Sequence, residues 1–252
     1  MRTEPNNIFG LQSRPSHIEV DKVVLKSGND NIIKRVYFGI KESVINYSFP
    51  PAERLNIEQL AEQLRVSTTP VRECLNRLVA EELIIVIPKM GFFMKELMES
   101  ELRDLHELNQ ILLGRSIICM SKDGENNTTI KLPNMASMID RLMAPEKPSA
   151  GCLANFSADF FTYLANQSGN IQVIQRVRNI NDRLHYIRRC EFGLRGDSAA
   201  QLLSLLQLCE DSRYEKLGQA LEIYHADRMS FLPSVIKAQK FSSHTEAESF
   251  EA

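Results

Sequence analysis

The chain has 252 residues, 43% of them hydrophobic, with 30 Lys and Arg against 32 Asp and Glu for a formal charge of −2. That length exceeds one typical helical domain, that apolar content fills two cores, and so balanced a charge excludes a protein coated in basic residues, leaving only a local patch to face phosphates. No run of 18 apolar residues marks a transmembrane helix, and residues 1–27 lack the apolar stretch of a secretory signal and read as a flexible N-terminal arm.

The first element in chain order is a helix marked by Ile32, Ile33, Val36, Tyr37, Ile40 and Val44, which ends before Phe49, Pro50 and Pro51 because consecutive prolines prevent its continuation. Asn56 then caps a short helix, with Gln59 three residues on and an apolar stripe of Ile57, Leu60, Ala61 and Leu64. Only Arg65, Val66 and Ser67 separate it from the most informative stretch, Val66 to Leu78. There Val71, Cys74, Leu75, Leu78 and Val79 recur at the spacing that lines one side of a helix, while Thr69, Arg72, Glu73, Asn76 and Arg77 project from the other. Two short helices joined so tightly are a helix-turn-helix, whose second helix lies in the major groove. Leu83 to Ile87 reads as a strand, Pro88 to Gly91 as a turn and Phe92 to Lys95 as the return strand, which completes a winged helix-turn-helix over residues 28–96.

Beyond Lys95 helical periodicity returns through Leu102, Leu105, Leu108, Ile111 and Leu112 to about Met120. Further helices are expected near 131–143, 152–167, 170–191, 198–209 and 213–238, so residues 97–240 form an all-helical antiparallel bundle, followed by a disordered tail at 241–252. Cysteines at 74, 119, 152, 190 and 209 are scattered and without CxxC spacing, which implies a reducing, cytoplasmic setting and small core residues rather than disulfides or zinc. Arg176, Arg178, Arg183, Arg188 and Arg189 offer a second possible nucleic-acid surface, but they scatter around their helix and read rather as salt-bridging within the bundle. No GxSxG, GxxxxGK[ST], GxGxxG or HExxH motif occurs and no other catalytic constellation stands out, so the chain is not expected to be an enzyme.

From Asn31 to Lys95 the residues resemble the GntR transcription regulators, in the FadR-like branch with an FCD-type helical C-terminal domain. The shared landmarks include Pro51, Leu55, Leu60, Ala61, Val66, Ser67, Thr69 to Glu73, Leu75, Arg77, Leu78, Glu81, Pro88, Gly91 and Phe92. Departures are Thr68 where the family usually has Arg, Ala52 and Glu82 where it has Gly, and acidic Glu58 near a position that is often basic. The resemblance extends into the bundle through Phe160 to Asn170, which looks like the family's helix ending in Ser-Gly-Asn. Many such bundles hold a metal through an Asp and three His residues, and that metal helps to bind a carboxylate effector. The Asp position falls on Ser157, the first His on Phe161 and the next near Leu203, and His225 alone stands where a family histidine would; the family's Arg and Glu of the first bundle helix correspond to Asn109 and Leu113. One imidazole makes no transition-metal site, and histidines 17, 106, 185 and 244 do not complete the set. No metal and no cofactor are therefore expected, and an effector held at Asn109, Leu113, Ser157, Phe161, Leu203 and His225 would be apolar.

The sequence thus points to a cytoplasmic, homodimeric, DNA-binding transcription regulator, read as a repressor that acts on a pseudo-palindromic operator in double-stranded DNA. Ser67, Thr68, Thr69 and the free amides of the helix start suit phosphate oxygens; Arg72 and Asn76 suit guanine and adenine edges; Arg65, Arg77 and Lys89 suit phosphates; Gly91 lets the wing approach the groove. Two other classes compete with this reading: a winged-helix protein-interaction module with a structural sensor domain, favoured by Glu58 and Glu73, and a helical enzyme fused to a DNA-binding domain.

Overall fold

Apolar residues at three- and four-residue spacing set the first helix, α1 (Gly28–Ile45), whose Val36, Tyr37, Ile40 and Val44 are buried. A computed structural model describes residues 28–122, 148–195 and 198–248. The chain divides into two units, Met1–Glu96 and Leu97–Ala252.

In the first unit, β1 (Arg54–Leu55) leads to α2 (Ile57–Leu64), where the Asn56 side chain accepts a hydrogen bond from the Gln59 amide at 3.1 Å. Arg65 ends α2 in the left-handed conformation, with its amide bonded back to the Ala61 and Glu62 carbonyls. That tight stop lets α3 (Thr68–Ala80) begin within a few residues and pack Val71, Cys74, Leu75 and Leu78 against α1. The wing is β2 (Ile84–Ile87) and β3 (Gly91–Met94), paired antiparallel with Ile84 opposite Met94 and Ile87 opposite Gly91. Sequence patterning missed β1, which pairs Arg54 with Phe93 and completes a three-stranded sheet of order β1-β3-β2.

The second unit contains α4 (Glu99–Lys122), α5 (Ala150–Asn166), α6 (Ile171–Leu194), α7 (Ser198–Glu210) and α8 (Tyr214–Glu248). Side-chain caps start two of them: Ser149 Oγ accepts from the Cys152 amide at 3.2 Å and Asn170 Oδ1 from the Gln172 amide at 2.9 Å. Gly169, at φ 62°, makes the turn between α5 and α6, which pack on each other as α4 does on α8. One apolar core gathers Leu113, Phe156, Phe160, Phe161, Leu164 and Leu206; a second gathers Leu102, Leu105, Ile180, Leu184 and Leu232. The helix expected near 131–143 and the arm at 1–27 lie outside the described residues. The tail expected from residue 241 is instead helical as far as Glu248, as α8 continues past Pro233. The five cysteines are unpaired, but only Cys74 and Cys209 are fully buried; Cys119, Cys152 and Cys190 are half-buried rather than core.

Ala52 and Glu82 occupy positive φ, 62° and 59°, which accounts for the glycine usual at both places in the family they resemble. A left-handed non-glycine residue costs about 1–2 kcal/mol, and the extra unfolded-state freedom of glycine offsets part of it. Ala52→Gly should therefore stabilise the first unit by about 0.5–1 kcal/mol, read as a higher urea midpoint; an unchanged or lower midpoint would show that Ala52 carries no strain.

Candidate functional site

The outward side of α3 is built by the same periodicity that buries its inner side: Thr68, Thr69, Arg72, Glu73, Asn76 and Arg77 are all exposed. Thr69, Arg72 and Asn76 follow one another at helical spacing, so they share one strip of surface. Ser67 sits in extended geometry at the N-cap without a side-chain cap hydrogen bond, unlike Asn56 on α2. Its hydroxyl and the first α3 amides are thus available to an anion, as the sequence reading requires of a phosphate contact.

Arg77 has a second role that spacing did not show. Its Nε donates to Glu81 Oε1 at 3.0 Å while the guanidinium lies 3.7 Å from the centre of the Tyr37 ring. The same Glu81 carboxylate accepts the Tyr37 hydroxyl at 2.7 Å and Lys41 Nζ at 2.8 Å. Burial pushes the Glu81 carboxyl up, but the hydrogen bonds from Lys41 and Tyr37 outweigh it and leave the group below its ordinary value. Arg77 is therefore part of the clamp between α1 and the end of α3, as well as an exposed cation.

At the wing, Lys89 is exposed in the turn at φ 65°, and Gly91 takes φ 110°. A Cβ at Gly91 would stand 3.5 Å from Arg54 Nε, so the Arg54 side chain lies along the wing backbone there. Arg54 is exposed and adds a cation beside Gly91 that the sequence reading overlooked. Its only sequence signal was a basic residue next to the short helix, because a two-residue strand carries no alternation. Arg65 is likewise exposed.

In the bundle, five of the six residues expected to line an effector site, Asn109, Leu113, Ser157, Phe161 and His225, are buried. Leu113 belongs to the hydrophobic core with Phe161, half-buried Leu203 packs against that core, and the Ser157 hydroxyl donates to the Ala154 carbonyl at 2.9 Å. His225 is fully buried, with its ring centre 5.8 Å from that of Phe161. His106, set aside on spacing, lies against it: the two Nδ1 atoms are 3.3 Å apart. Asn109, one turn along α4 from His106, is buried with neither amide atom hydrogen-bonded.

Two arginines overturn the expectation of an uncharged interior. Arg188 and Arg228 are each 1% exposed. Arg188 is not salt-bridged as the sequence reading supposed; its Nη1 donates to Asn181 Oδ1 at 2.8 Å, and its guanidinium faces the Phe161 ring at 5.1 Å. Arg228 pairs with buried Glu191 and lies 4.4 Å from the Tyr224 ring centre. Burial, then Arg188 and Arg228, lowers His225 to about 3; burial, then His225 and the same arginines, lowers His106 well below its ordinary value. Both imidazoles are neutral at pH 7. The residues present do not fit the metal of related bundles: Ser157 and Phe161 stand at two ligand positions, and a dication would face two guanidinium groups.

A helix-turn-helix with an exposed, arginine-bearing second helix and a glycine-containing wing defines a winged-helix DNA-binding protein. Residues 32–94 match the pattern of the bacterial regulatory proteins of the gntR family. The chain is 31% identical over 175 residues to the Nta operon transcriptional regulator of Aminobacter aminovorans, spanning 68% of this chain and 80% of that one. It is 30% identical over 142 residues to the HTH-type transcriptional regulator McbR of Escherichia coli (strain K12), 54% of this chain and 63% of that one. Its fold is similar to those of a GntR regulator from Rhodococcus sp. RHA1 (TM-score 0.65, 16% identity, 81% of this chain and 98% of that one) and of E. coli McbR/YncC (TM-score 0.61, 18% identity, 86% and 100%). The chain belongs to the GntR family, with an FCD-like helical second domain, and is a DNA-binding transcription regulator.

Arg72→Ala should cost about 1–3 kcal/mol on a selected operator and relax preference at one base pair per half-site, whereas Lys89→Ala should weaken all sequences alike and reduce the salt dependence by about one charge. Equal, unspecific losses in a binding titration would remove Arg72 as a base reader. For the bundle, the folded values of His106 and His225 lie below the ordinary 6.5, so the unfolded chain binds more protons on acidification. Stability is fully present above pH 6.5 and is lost as pH falls toward the folded values, by up to about 1.4 kcal/mol per histidine per pH unit. His225→Phe should flatten the slope of urea midpoint against pH between about 7 and 5; an unaltered slope would mean that His225 titrates normally.

Proposed function

We propose that this regulator works as a homodimer on a pseudo-palindromic operator, as a repressor whose DNA affinity is controlled by a ligand of the helical domain. The observation that carries the DNA-contact part is the exposed strip Thr69, Arg72 and Asn76 on α3, beside an N-terminus whose Ser67 makes no cap bond. On this reading Arg72 and Asn76 read base edges, Ser67, Thr68 and Thr69 take phosphates, and Arg65, Arg77, Lys89 and the neighbouring Arg54 hold the backbone, with Gly91 admitting the wing. A two-fold dimer sets the half-sites one helical turn, or about 34 Å, or a multiple of that apart. Repression follows from such occupancy of a promoter, and the relative GlaR of E. coli, 32% identical over 71 residues, is a transcriptional repressor. The buried polar groups of the bundle support ligand control, because a core built only for stability has little use for them.

Exposed Glu58 and Glu73 favour a second reading, a winged helix that docks on a partner protein. Selection of bound sequences from random DNA with the purified protein separates the two. The expected result is enrichment of an inverted repeat bound by a dimer, with reduced transcription in vitro from a promoter carrying it; failure to enrich any sequence at low salt would favour the protein-docking reading.

A further inference from the structure

The two-residue strand β1 places a cation on the wing. Arg54 pairs with Phe93, so the two side chains leave the same face of the sheet, while neighbouring Leu55 is buried on the other. Two residues along β3 on that same face stands Gly91, and a Cβ there would lie 3.5 Å from Arg54 Nε and 3.7 Å from Nη2. The missing side chain is thus the track along which the guanidinium runs toward the end of the wing. Arg54 is exposed and makes no ion pair or hydrogen bond among the described residues, unlike Arg77, which is tied to Glu81.

The tip beyond it is stiff and mixed in character. The Met90 amide donates to the Ile87 carbonyl at 3.0 Å, Ile87 pairs with Gly91, and Lys89 and Gly91 take φ of 65° and 110°, so the turn is closed by bonds of its own. Met90 and Val86 are 55% and 49% exposed, and Lys89 is exposed too. Cations beside apolar side chains match a minor groove, which has phosphates along its rims and deoxyribose C–H groups on its walls. That groove is about 6 Å wide, too narrow for a helix or a strand pair, and single extended side chains enter it. A helix seated in the major groove has a minor groove roughly 5 base pairs, or half a helical turn, to either side, and α3 and the wing belong to one unit. Of Arg54 and Lys89, the arginine is the one suited to go in. Its guanidinium is flat and more weakly hydrated than an ammonium, and a narrow minor groove over A·T pairs concentrates the negative potential that draws arginine inward.

We propose that Arg54 is a minor-groove specificity residue: its guanidinium enters a narrow, A·T-rich minor groove on one side of each half-site, with Met90 against the sugars and Lys89 left on a phosphate. Discrimination there comes from groove width and from the exocyclic amino group that guanine adds to the minor-groove floor, whereas Arg72 and Asn76 face the major-groove edges. The proposal rests on the DNA-contact reading given above and gives Arg54 a reading role in addition to its hold on the backbone.

The test takes the full-length protein and the operator it selects from random DNA, made in three versions whose pairs roughly 5 positions from the centre of each half-site are A·T, G·C or inosine·C. Inosine·C presents the minor-groove face of A·T and the major-groove face of G·C, so it tells the two grooves apart. Wild type should bind the A·T and inosine·C versions alike and the G·C version about fivefold or more weakly. Arg54→Ala, and Arg54→Lys, which keeps the charge without the flat guanidinium, should bind all three within about twofold of one another. Both variants should melt as wild type does, because the side chain has no bonded partner in the fold. Inosine·C behaving as G·C would place the discrimination in the major groove, equal loss on all three versions in Arg54→Ala would leave Arg54 a phosphate contact, and a preference that persists in both variants would belong to another residue. Each of these overturns the proposal while the operator stands; failure to select any operator overturns the DNA-contact reading with it.

Discussion

One carboxylate holds the DNA-binding unit in register. Glu81, at the end of α3, collects the Tyr37 hydroxyl and the Lys41 ammonium from α1 and Arg77 from its own helix. Hydrogen bonds to charged groups contribute about 1.5–3 kcal/mol each when shielded from water, and these are half-buried. Without them α3 would rest on α1 mainly through apolar contacts, with the weak hydrogen bond from the Cys74 thiol to the Ile33 carbonyl at 3.7 Å, and apolar contacts resist separation better than they resist sliding. A helix that presents Arg72 and Asn76 outward needs its rotation about its own axis to be fixed, since a shift of one residue turns the reading strip by about 100°. The clamp supplies directional bonds where packing supplies only adhesion.

The helix-turn-helix was legible because both of its faces are written in residue type. Inner and outer positions of α3 separate into apolar and polar sets, and the short connection leaves no room for another arrangement. β1 was not legible: Arg54 and Leu55 become a strand only because β3 offers them partners, and two residues cannot display a period of two. The end of α8 was misread for a related reason, since polar residues past 240 lack the apolar stripe by which helices are recognised and yet the helix runs on to Glu248.

The bundle interior was misread for a different reason. His106 and His225 are 119 positions apart and meet only through the packing of α4 on α8, so no local spacing could join them. Arg188 stood in a run of arginines that scatters around α6, and composition gives no means of telling which of them turns inward. Arg183 does form the ion pair expected of such residues, with Glu101. Arg188 differs by pointing at the α5 side, where Phe161 and Asn181 receive it. Burial therefore had to be seen before the charge of the site could be counted.

Ser157 and Phe161 on one hand, and the buried arginines on the other, belong to a single physical choice. A metal and a guanidinium are two ways of placing positive charge at the centre of a helical bundle, and they exclude each other at close range. Two unit charges about 4 Å apart at an effective dielectric of about 20 repel by about 4 kcal/mol, and a dication doubles the figure. A chain that keeps Arg188 and Arg228 inside leaves no place for a dication beside them, and Ser157 bonding to its own helix with Phe161 filling the adjacent space fits that choice, while the two buried imidazoles, His106 and His225, are held neutral beside the arginines.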